Sequence, residues 1–178
     1  NATENEAAFQ SSADWMEASN AILVVEYEYY NVSISLKAGW NMVSVPVIPE
    51  DTSVGSVFPG VAVVYTYNPI TKNYEIPTSI EICKGYWVAV TEDTNITVCG
   101  IPVYNRTINL TAGWNMPGSI MCAVSIEDPQ DDPDGSVQPF AYWYNPETGS
   151  YAYTTTIEPK KGYWVAAIQD CTLSLECS

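Results

Sequence analysis

The sequence contains two copies of one pattern. Residues from Tyr30 read YNVSISLKAGWNM, and residues from Tyr104 read YNRTINLTAGWNM. Farther along, residues 67–89 read YNPITKNYEIPTSIEICKGYWVA, and residues 144–166 read YNPETGSYAYTTTIEPKKGYWVA. The offset is 74 in the first block and 77 in the second. Such self-similarity indicates a tandem duplication with units of roughly 75 residues.

The duplication divides the chain into an extension and two units. We expect the extension at 1–29, the first unit at 30–103 and the second at 104–178. In each unit, apolar residues alternate with polar ones, as at Ile34 and Leu36, which is typical of a half-buried strand. Aromatic runs interrupted by Asn-Pro turns predict hairpins. The sequence therefore predicts an all-β fold of two tandem homologous β-sandwich or barrel-like units after an N-terminal extension.

The Gly-Trp-Asn-Met and Lys-Gly-Tyr-Trp-Val blocks, present in both copies, resemble a repeat of secreted and cell-surface proteins of archaea and bacteria. The resemblance implies an exported, non-catalytic β module that is often part of a large surface protein. It implies no ligand and transfers no functional residues.

The charge balance excludes several classes of function. The chain has 21 acidic residues, six basic residues and no histidine, for a net charge of −15. This acidity argues against binding nucleic acid or an anionic membrane. The lack of histidine excludes Ser-His-Asp and Cys-His catalysis and histidine-held zinc or haem within one chain. No apolar run approaches the roughly 20 residues of a membrane span, so we expect no membrane insertion.

Several features favour an extracellular or cell-surface location. The chain begins at Asn1 with no initiator Met, as a processed exported protein would. Five Asn-X-Ser/Thr sequons predict covalently attached glycans. They begin at Asn1, Asn31, Asn95, Asn105 and Asn109.

Five cysteines in an exported chain predict disulfides and one thiol left over. At the offset of 77, Cys83 and Cys99 correspond to Lys160 and Glu176. A cysteine pair replaced by an opposite-charge pair predicts a Cys83–Cys99 bridge across two strands. Among the others, Cys122 is left to pair with Cys171 or Cys177, because six residues of extended chain keep those two too far apart to bond.

The densest acidic cluster is the loop over residues 127–136, which ends near Gly135. Closely spaced carboxylates before a glycine are typical of calcium sites, although the EF-hand spacing is absent and a solvated loop is the alternative. The predicted calcium ligands are Asp128, Asp131, Asp132 and Asp134. No other cofactor is expected.

The extension contains the most apolar run of the chain. It holds six acids and no base, and the run comprises Ala21, Ile22, Leu23, Val24 and Val25. In one interpretation this segment is a strand that completes the chain's own sheet. In the other it is an assembly arm that pairs with an open sheet edge of a neighbouring subunit.

The aromatic residues divide into repeated and unrepeated ones. Tryptophans at equivalent positions of both units are expected to pack in the core or between sheets: Trp40, Trp87, Trp114 and Trp164. A ligand-binding platform is more readily expected from an aromatic found in one copy, such as Trp143 with Tyr142 or Tyr144, or from Trp15 in the extension.

The leading functional prediction is a non-enzymatic extracellular structural protein. It would be a glycosylated subunit that assembles with its own copies into a filament, sheath or surface layer through its N-terminal arm. The alternative is a cell-surface adhesion or carbohydrate-binding module centred on Trp143. Carboxylates suited to a glycosidase exist, but Glu81 and Glu158 occupy the same repeat position, which favours a shared structural role over catalysis.

Overall fold

The computed structural model describes residues 28–177. Short strands dominate it, and a single helical turn lies between two of them. The first unit contains β1 Tyr30–Leu36, β2 Gly39–Val43, β3 Val47–Pro49, α1 Val54–Val57, β4 Val63–Asn68, β5 Asn73–Glu75, β6 Tyr86–Val90 and β7 Thr94–Pro102. The second contains β8 Asn105–Leu110, β9 Gly113–Asn115, β10 Val124–Ser125, β11 Gln130–Asp132, β12 Val137–Asn145, β13 Ser150–Thr154, β14 Thr156–Ile157, β15 Trp164–Ala167 and β16 Cys171–Glu176.

The strands form antiparallel sheets, and each sheet draws on a single unit. In the first unit the sheets have the orders β1-β7-β3 and β2-β6-β4-β5. In the second the corresponding orders are β11-β16-β8 and β13-β12-β15-β9, with β10 and β14 as a separate pair. The fold is therefore all-β, as the sequence predicts, and the sheet containing each Gly-Trp-Asn strand is built alike in the two units.

Each pair of sheets encloses its own apolar core. Alternation along β1 directs Val32, Ile34 and Leu36 inward, because successive side chains of a strand point to opposite faces. In the first unit these residues pack with side chains of β6 and β7. Leu110, Leu173 and Val165 from three strands do the same in the second unit. These are sandwich cores made by the inner faces of two sheets.

The Gly-Trp-Asn motif makes the same tight corner in both units. Gly39 and Gly113 have φ values of 96° and 105°, a region that glycine adopts without steric cost. Two residues later, Asn41 accepts the backbone N–H of Lys37 at 2.9 Å and donates to its carbonyl at 2.8 Å. Asn115 makes the equivalent pair of bonds with Thr111. The motif is thus explained by backbone geometry at the start of β2 and β9.

Reciprocal backbone hydrogen bonds join the two units. Ser44 N–H donates to the Lys160 carbonyl, and Gly118 N–H donates to the Cys83 carbonyl, each at 2.9 Å. Gly162 N–H donates to Met42 and Gly85 N–H to Met116, at 3.1 and 2.9 Å. Because the donors and acceptors occupy matching repeat positions, the junction has an approximate two-fold axis.

One of the two predicted disulfides forms and the other does not. Cys122 and Cys177 form a disulfide with a Cα–Cα distance of 5.8 Å, which selects Cys177 over Cys171. The predicted Cys83–Cys99 bridge is wrong, because both are free thiols, as is Cys171. Cys83 is buried at the junction, whereas Cys99 lies on the exposed face of β7.

The matched charge pair that suggested the Cys83–Cys99 bridge does not exist either. Within residues 28–177, Lys160 and Glu176 form no ion pair. No helix in that part of the chain is long and apolar enough to cross a membrane.

Candidate functional site

Two open aromatic clefts lie at the junction of the units. The first cleft, of about 550 Å³, is lined by Trp40, Tyr65, Tyr74, Trp87 and Tyr144. The second cleft, of about 440 Å³, is lined by Trp114, Tyr142, Tyr151, Trp164 and Tyr67. Each cleft takes four side chains from one unit and one tyrosine from the other, and the five positions correspond one to one.

Strand alternation turns these rings outward. On β2 the buried residues are Asn41, Met42 and Val43, whereas Trp40 is 42% exposed. Trp114 is 46% exposed on the equivalent strand β9. The prediction that the repeated tryptophans pack in the core or between sheets is therefore wrong for this pair, and Trp87 and Trp164 line the clefts as well. Similarity between copies indicated a shared role, but it does not distinguish a shared core position from a shared surface position.

Edge-to-face contacts fix the rings across the junction. The Trp87 and Tyr144 ring centroids are 4.9 Å apart at 70°, and those of Trp164 and Tyr67 are 4.9 Å apart at 76°. The Trp164 indole N–H also donates to the Tyr151 hydroxyl at 3.2 Å. Edge-to-face packing of this kind stabilises aromatic pairs beyond their buried area. The walls of the clefts are consequently preformed.

Trp143, the predicted ligand platform, lies away from both clefts. Tyr142 and Tyr144 line the clefts, whereas Trp143 between them packs against the core of the second unit. Its equivalent Thr66 is 4% exposed and donates to the Gly85 carbonyl. Lys161 Nζ lies 4.0 Å from the Trp143 ring centroid. The structure therefore separates Trp143 from both aromatic clefts, whereas Trp143 and Tyr144 together line a third cleft between the units.

The clefts are apolar at the centre of a strongly acidic chain. Within the described residues, no charged side chain lines either of them. Tryptophan and tyrosine present flat apolar rings with a polar edge, which suits stacking against sugar rings and the cores of protein interfaces. Contiguous exposed apolar surface on a soluble protein marks an interaction site.

The acidic loop does not form the predicted calcium site. Asp131 accepts the backbone N–H groups of Gly135 at 3.2 Å and Val137 at 2.6 Å. No group of three or more metal-ligating side chains converges anywhere in residues 28–177, Asp128, Asp132 and Asp134 included. The spacing that suggested calcium instead lets one carboxylate close a turn through backbone hydrogen bonds.

The carboxylates at equivalent repeat positions have a structural role. Glu81 forms an ion pair with Lys84 at 2.8 Å, and Glu158 forms one with Lys161 three residues later. The backbone N–H of each glutamate donates at 2.7 Å to a buried tyrosine, Tyr86 or Tyr163. These contacts order the loop before the closing strand in each unit.

The described sequons lie on the sheets opposite the clefts. Asn31 and Asn95 are exposed on β1 and β7, and Asn105 and Asn109 are exposed on β8. The cleft residues lie on the other sheet of each sandwich. Asn1 and the apolar run 21–25 lie outside the described residues, as does Trp15. Glycans on these four asparagines would leave the clefts uncovered.

Comparison of the chain with protein-family models, with curated proteins and with solved structures finds no match.

Proposed function

We propose that the chain is a non-enzymatic, extracellular structural subunit that assembles with its own copies. In this proposal it is glycosylated and builds a filament, sheath or surface layer, and its N-terminal extension joins neighbouring subunits. A surface layer or sheath requires a face that binds protein and a face that remains solvated.

The paired aromatic clefts are the observation that carries the proposal. Interface cores are enriched in tryptophan and tyrosine and depleted of lysine, aspartate and glutamate. The chain carries a net charge of −15, so copies repel one another over most of their surfaces. The charge-free clefts are where two copies meet at least electrostatic cost. The four described sequons on the opposite sheets are consistent with this division of faces.

Electron microscopy and sedimentation of the full chain test the proposal. We expect ordered assemblies from the natural chain and dispersed particles from a chain lacking residues 1–25. The double variant Trp40→Ala, Trp114→Ala should also fail to assemble, because it removes one exposed ring from each cleft.

The matched control is Ile70→Ala, Ile168→Ala. These side chains are 78% and 65% exposed and line neither cleft, so their loss should leave assembly intact. Monodisperse natural chain at high concentration, with no assembly, would contradict the proposed function.

Carbohydrate binding is the second candidate, and the same clefts favour it. A pyranose ring can stack on an exposed indole such as Trp40 or Trp114. A glycan array with the natural chain should give binding that Trp40→Ala, Trp114→Ala abolishes and Trp143→Ala preserves. Absence of binding to every sugar, together with assembly of the chain, would leave the structural role alone.

A further inference from the structure

A third concave surface gathers much of the chain's positive charge. This lysine cleft, of about 370 Å³, lies between the units and is lined by Lys37, Lys160 and Lys161, by one carboxylate, Glu147, and by Trp143 among others. The whole chain has six basic residues and 21 acidic ones. Half of the basic residues therefore surround one cleft of a strongly acidic protein.

The two-fold-related cleft carries fewer cations. It has a similar volume, about 320 Å³, and is lined by Arg106 and by Lys84 at the position that matches Lys161, together with Glu81. Cys83 replaces Lys160 there, and Thr111 occupies the position equivalent to Lys37. Because the backbone arrangement is shared, the lysines do not follow from the fold. Lys37 and Lys160 distinguish the lysine cleft from the two-fold-related cleft, which has the same backbone arrangement.

Lys160 is the cleft's least engaged cation. Lys37 pairs with Asp93 at 3.0 Å, and Lys161 pairs with Glu158 over the ring of Trp143. Lys160 is exposed and makes no ion pair within residues 28–177. An ammonium group offers three donors, so Lys37 and Lys161 also retain capacity beyond their single partners.

Tyr144 makes the lysine cleft continuous with the first aromatic cleft. It lines both, together with Lys161 and Asn145 on one side and Trp40 and Trp87 on the other. The result is one composite groove with a cationic end and an aromatic end. A complementary occupant carries carboxylates and an apolar stretch in a single extended segment.

We propose that the occupant is the N-terminal extension of a second copy of this chain. Four acids, Glu4, Glu6, Asp14 and Glu17, precede the apolar run 21–25, and the extension has no basic residue. In the docked arrangement the acids face the lysines and the apolar run covers the aromatic cleft. This inference rests on the proposed function and specifies the contact that joins neighbouring subunits, which we call the joint.

Length and charge both fit an intermolecular joint. Twenty-five extended residues span up to about 80 Å, enough to reach across a neighbouring small domain. Because copies with a net charge of −15 repel one another, a cationic groove supplies local attraction where the joint needs it. The two-fold-related cleft has two cations, Lys84 and Arg106, where the lysine cleft has three. The lysine cleft is therefore the preferred docking site on each copy, which suits head-to-tail growth.

Reciprocal charge reversal in the full chain tests the joint. The socket variant carries Lys37→Glu and Lys160→Glu. The arm variant carries Glu4→Lys, Glu6→Lys, Asp14→Lys and Glu17→Lys. Each alone places like charges together, so we expect the concentration needed for assembly to rise by about tenfold or more. In an equimolar mixture the two variants can alternate, so that every lysine-bearing arm meets a glutamate-bearing cleft and every acidic arm meets a lysine cleft. The mixture should therefore assemble as the natural chain does.

A charge-matched control separates local contact from net charge. Lys72→Glu, Arg106→Glu changes the net charge by the same amount as the socket variant and touches neither the lysine cleft nor the first aromatic cleft. Arg106 lines the two-fold-related cleft, so this variant also tests that cleft. We expect it to assemble normally, and loss of its assembly would overturn the choice of the lysine cleft. Circular dichroism of every variant confirms that the β fold is retained.

Three outcomes distinguish failure of the joint from failure of the proposed function. Assembly of the socket variant at the natural concentration, with loss in the chain lacking residues 1–25, overturns this joint and leaves the proposed function standing. Failure of the mixture to assemble, while each variant is folded, also overturns the joint. Absence of assembly by the natural chain overturns the proposed function itself.

Discussion

Two buried tyrosines show how single residues serve the same purpose in both units. Tyr86 is 0% and Tyr163 is 1% exposed. Each hydroxyl accepts a backbone N–H at 2.7 Å, from Glu81 or Glu158. Burial is the main cause that raises the pKa of both phenols, so they remain neutral donors and acceptors. The tyrosine of Lys-Gly-Tyr-Trp-Val is therefore a core residue whose hydroxyl accepts the backbone N–H of the preceding loop.

Replacing either tyrosine by phenylalanine should destabilise the chain by a similar amount. The ring still fills the core, but the glutamate N–H loses its acceptor, which costs about 1–3 kcal/mol for a buried donor. Urea unfolding of Tyr86→Phe and Tyr163→Phe measures the change. Thr71→Ala, which removes an exposed hydroxyl, is the control and should change the free energy of unfolding by less than about 0.5 kcal/mol.

The free thiols should differ sharply in reactivity. Burial raises the pKa of Cys83 to about 11, and the thiolate is the reactive form. Cys99 is exposed on the outer face of β7. At pH 8, iodoacetamide should therefore modify Cys99 at least tenfold faster than Cys83, as measured by peptide mass spectrometry.

Unfolding in urea is the control for the thiol experiment. Both cysteines should then react at comparable rates, because only the fold protects Cys83. Rapid native labelling of Cys83 would contradict its buried position. Raising the pH toward the pKa of Cys83 increases its thiolate fraction, so the ratio of the two rates should narrow.

At this scale the sequence predicted residue type better than residue location. The exposure of Asn31 and Asn95 agrees with their sequon reading. Trp40 was expected to be packed but lies on the outer face, whereas Trp143 was expected to be an exposed platform but packs beneath Lys161. Side-chain direction in a strand changes with a register shift of one residue. Apolarity alone cannot specify that register where consecutive residues are aromatic, as in Tyr142, Trp143 and Tyr144.

Among the elements, the segment after β9 and the turns before β6 and β15 meet at the junction. Gly118 lies where the units touch, and a Cβ there would be 2.6 Å from the Ser44 Cβ and 2.7 Å from the Lys84 carbonyl oxygen. Gly85 and Gly162 face similar contacts from the opposite unit. Glycine in Lys-Gly-Tyr-Trp-Val is thus required by close approach of two backbones.

Gly118→Ala should destabilise the chain by about 1–3 kcal/mol, the usual cost of overpacking. The Cβ meets backbone atoms as well as a side chain, so the units must separate slightly to admit it. Chemical denaturation provides the measurement. Gly55→Ala is the control, because Gly55 lies in α1 with no atom within 4 Å of its Cβ position, and alanine favours helix there. An equal loss in both variants would contradict the junction argument.

The elements themselves were largely predictable, whereas their association was not. Alternation identified β1, and the aromatic hairpins agree with β4–β5 and β12–β13. The hydrogen bonds from Ser44 to Lys160 and from Gly118 to Cys83 join segments far apart in sequence. No local pattern encodes them, because they depend on the relative position of two folded units. The same holds for the tyrosines that each unit contributes to the other's cleft.

On the scale of the whole molecule, we expect the two units to unfold together as one cooperative body. The reciprocal hydrogen bonds and the exchanged rings of Tyr67 and Tyr144 tie each sheet to the opposite unit. Cys83 of the first unit even packs in the core of the second. Unfolding one unit would therefore leave the other with exposed aromatic surface and unpaired backbone groups, at a cost of several kcal/mol.

Leu173→Ala, a cavity in the core of the second unit, tests this cooperativity. Leu173 is 1% exposed, so the substitution should cost about 2–5 kcal/mol. Native hydrogen exchange should show an equal loss of protection at the slowest amides of β6 and of β15, although β6 lies in the first unit. Ile168→Ala, 65% exposed, should change neither. Loss confined to β15 would mean that the units open independently, and the clefts between them would then be a transient surface. An equal loss in both units would mean that the clefts persist as long as the fold does, as an assembly face must.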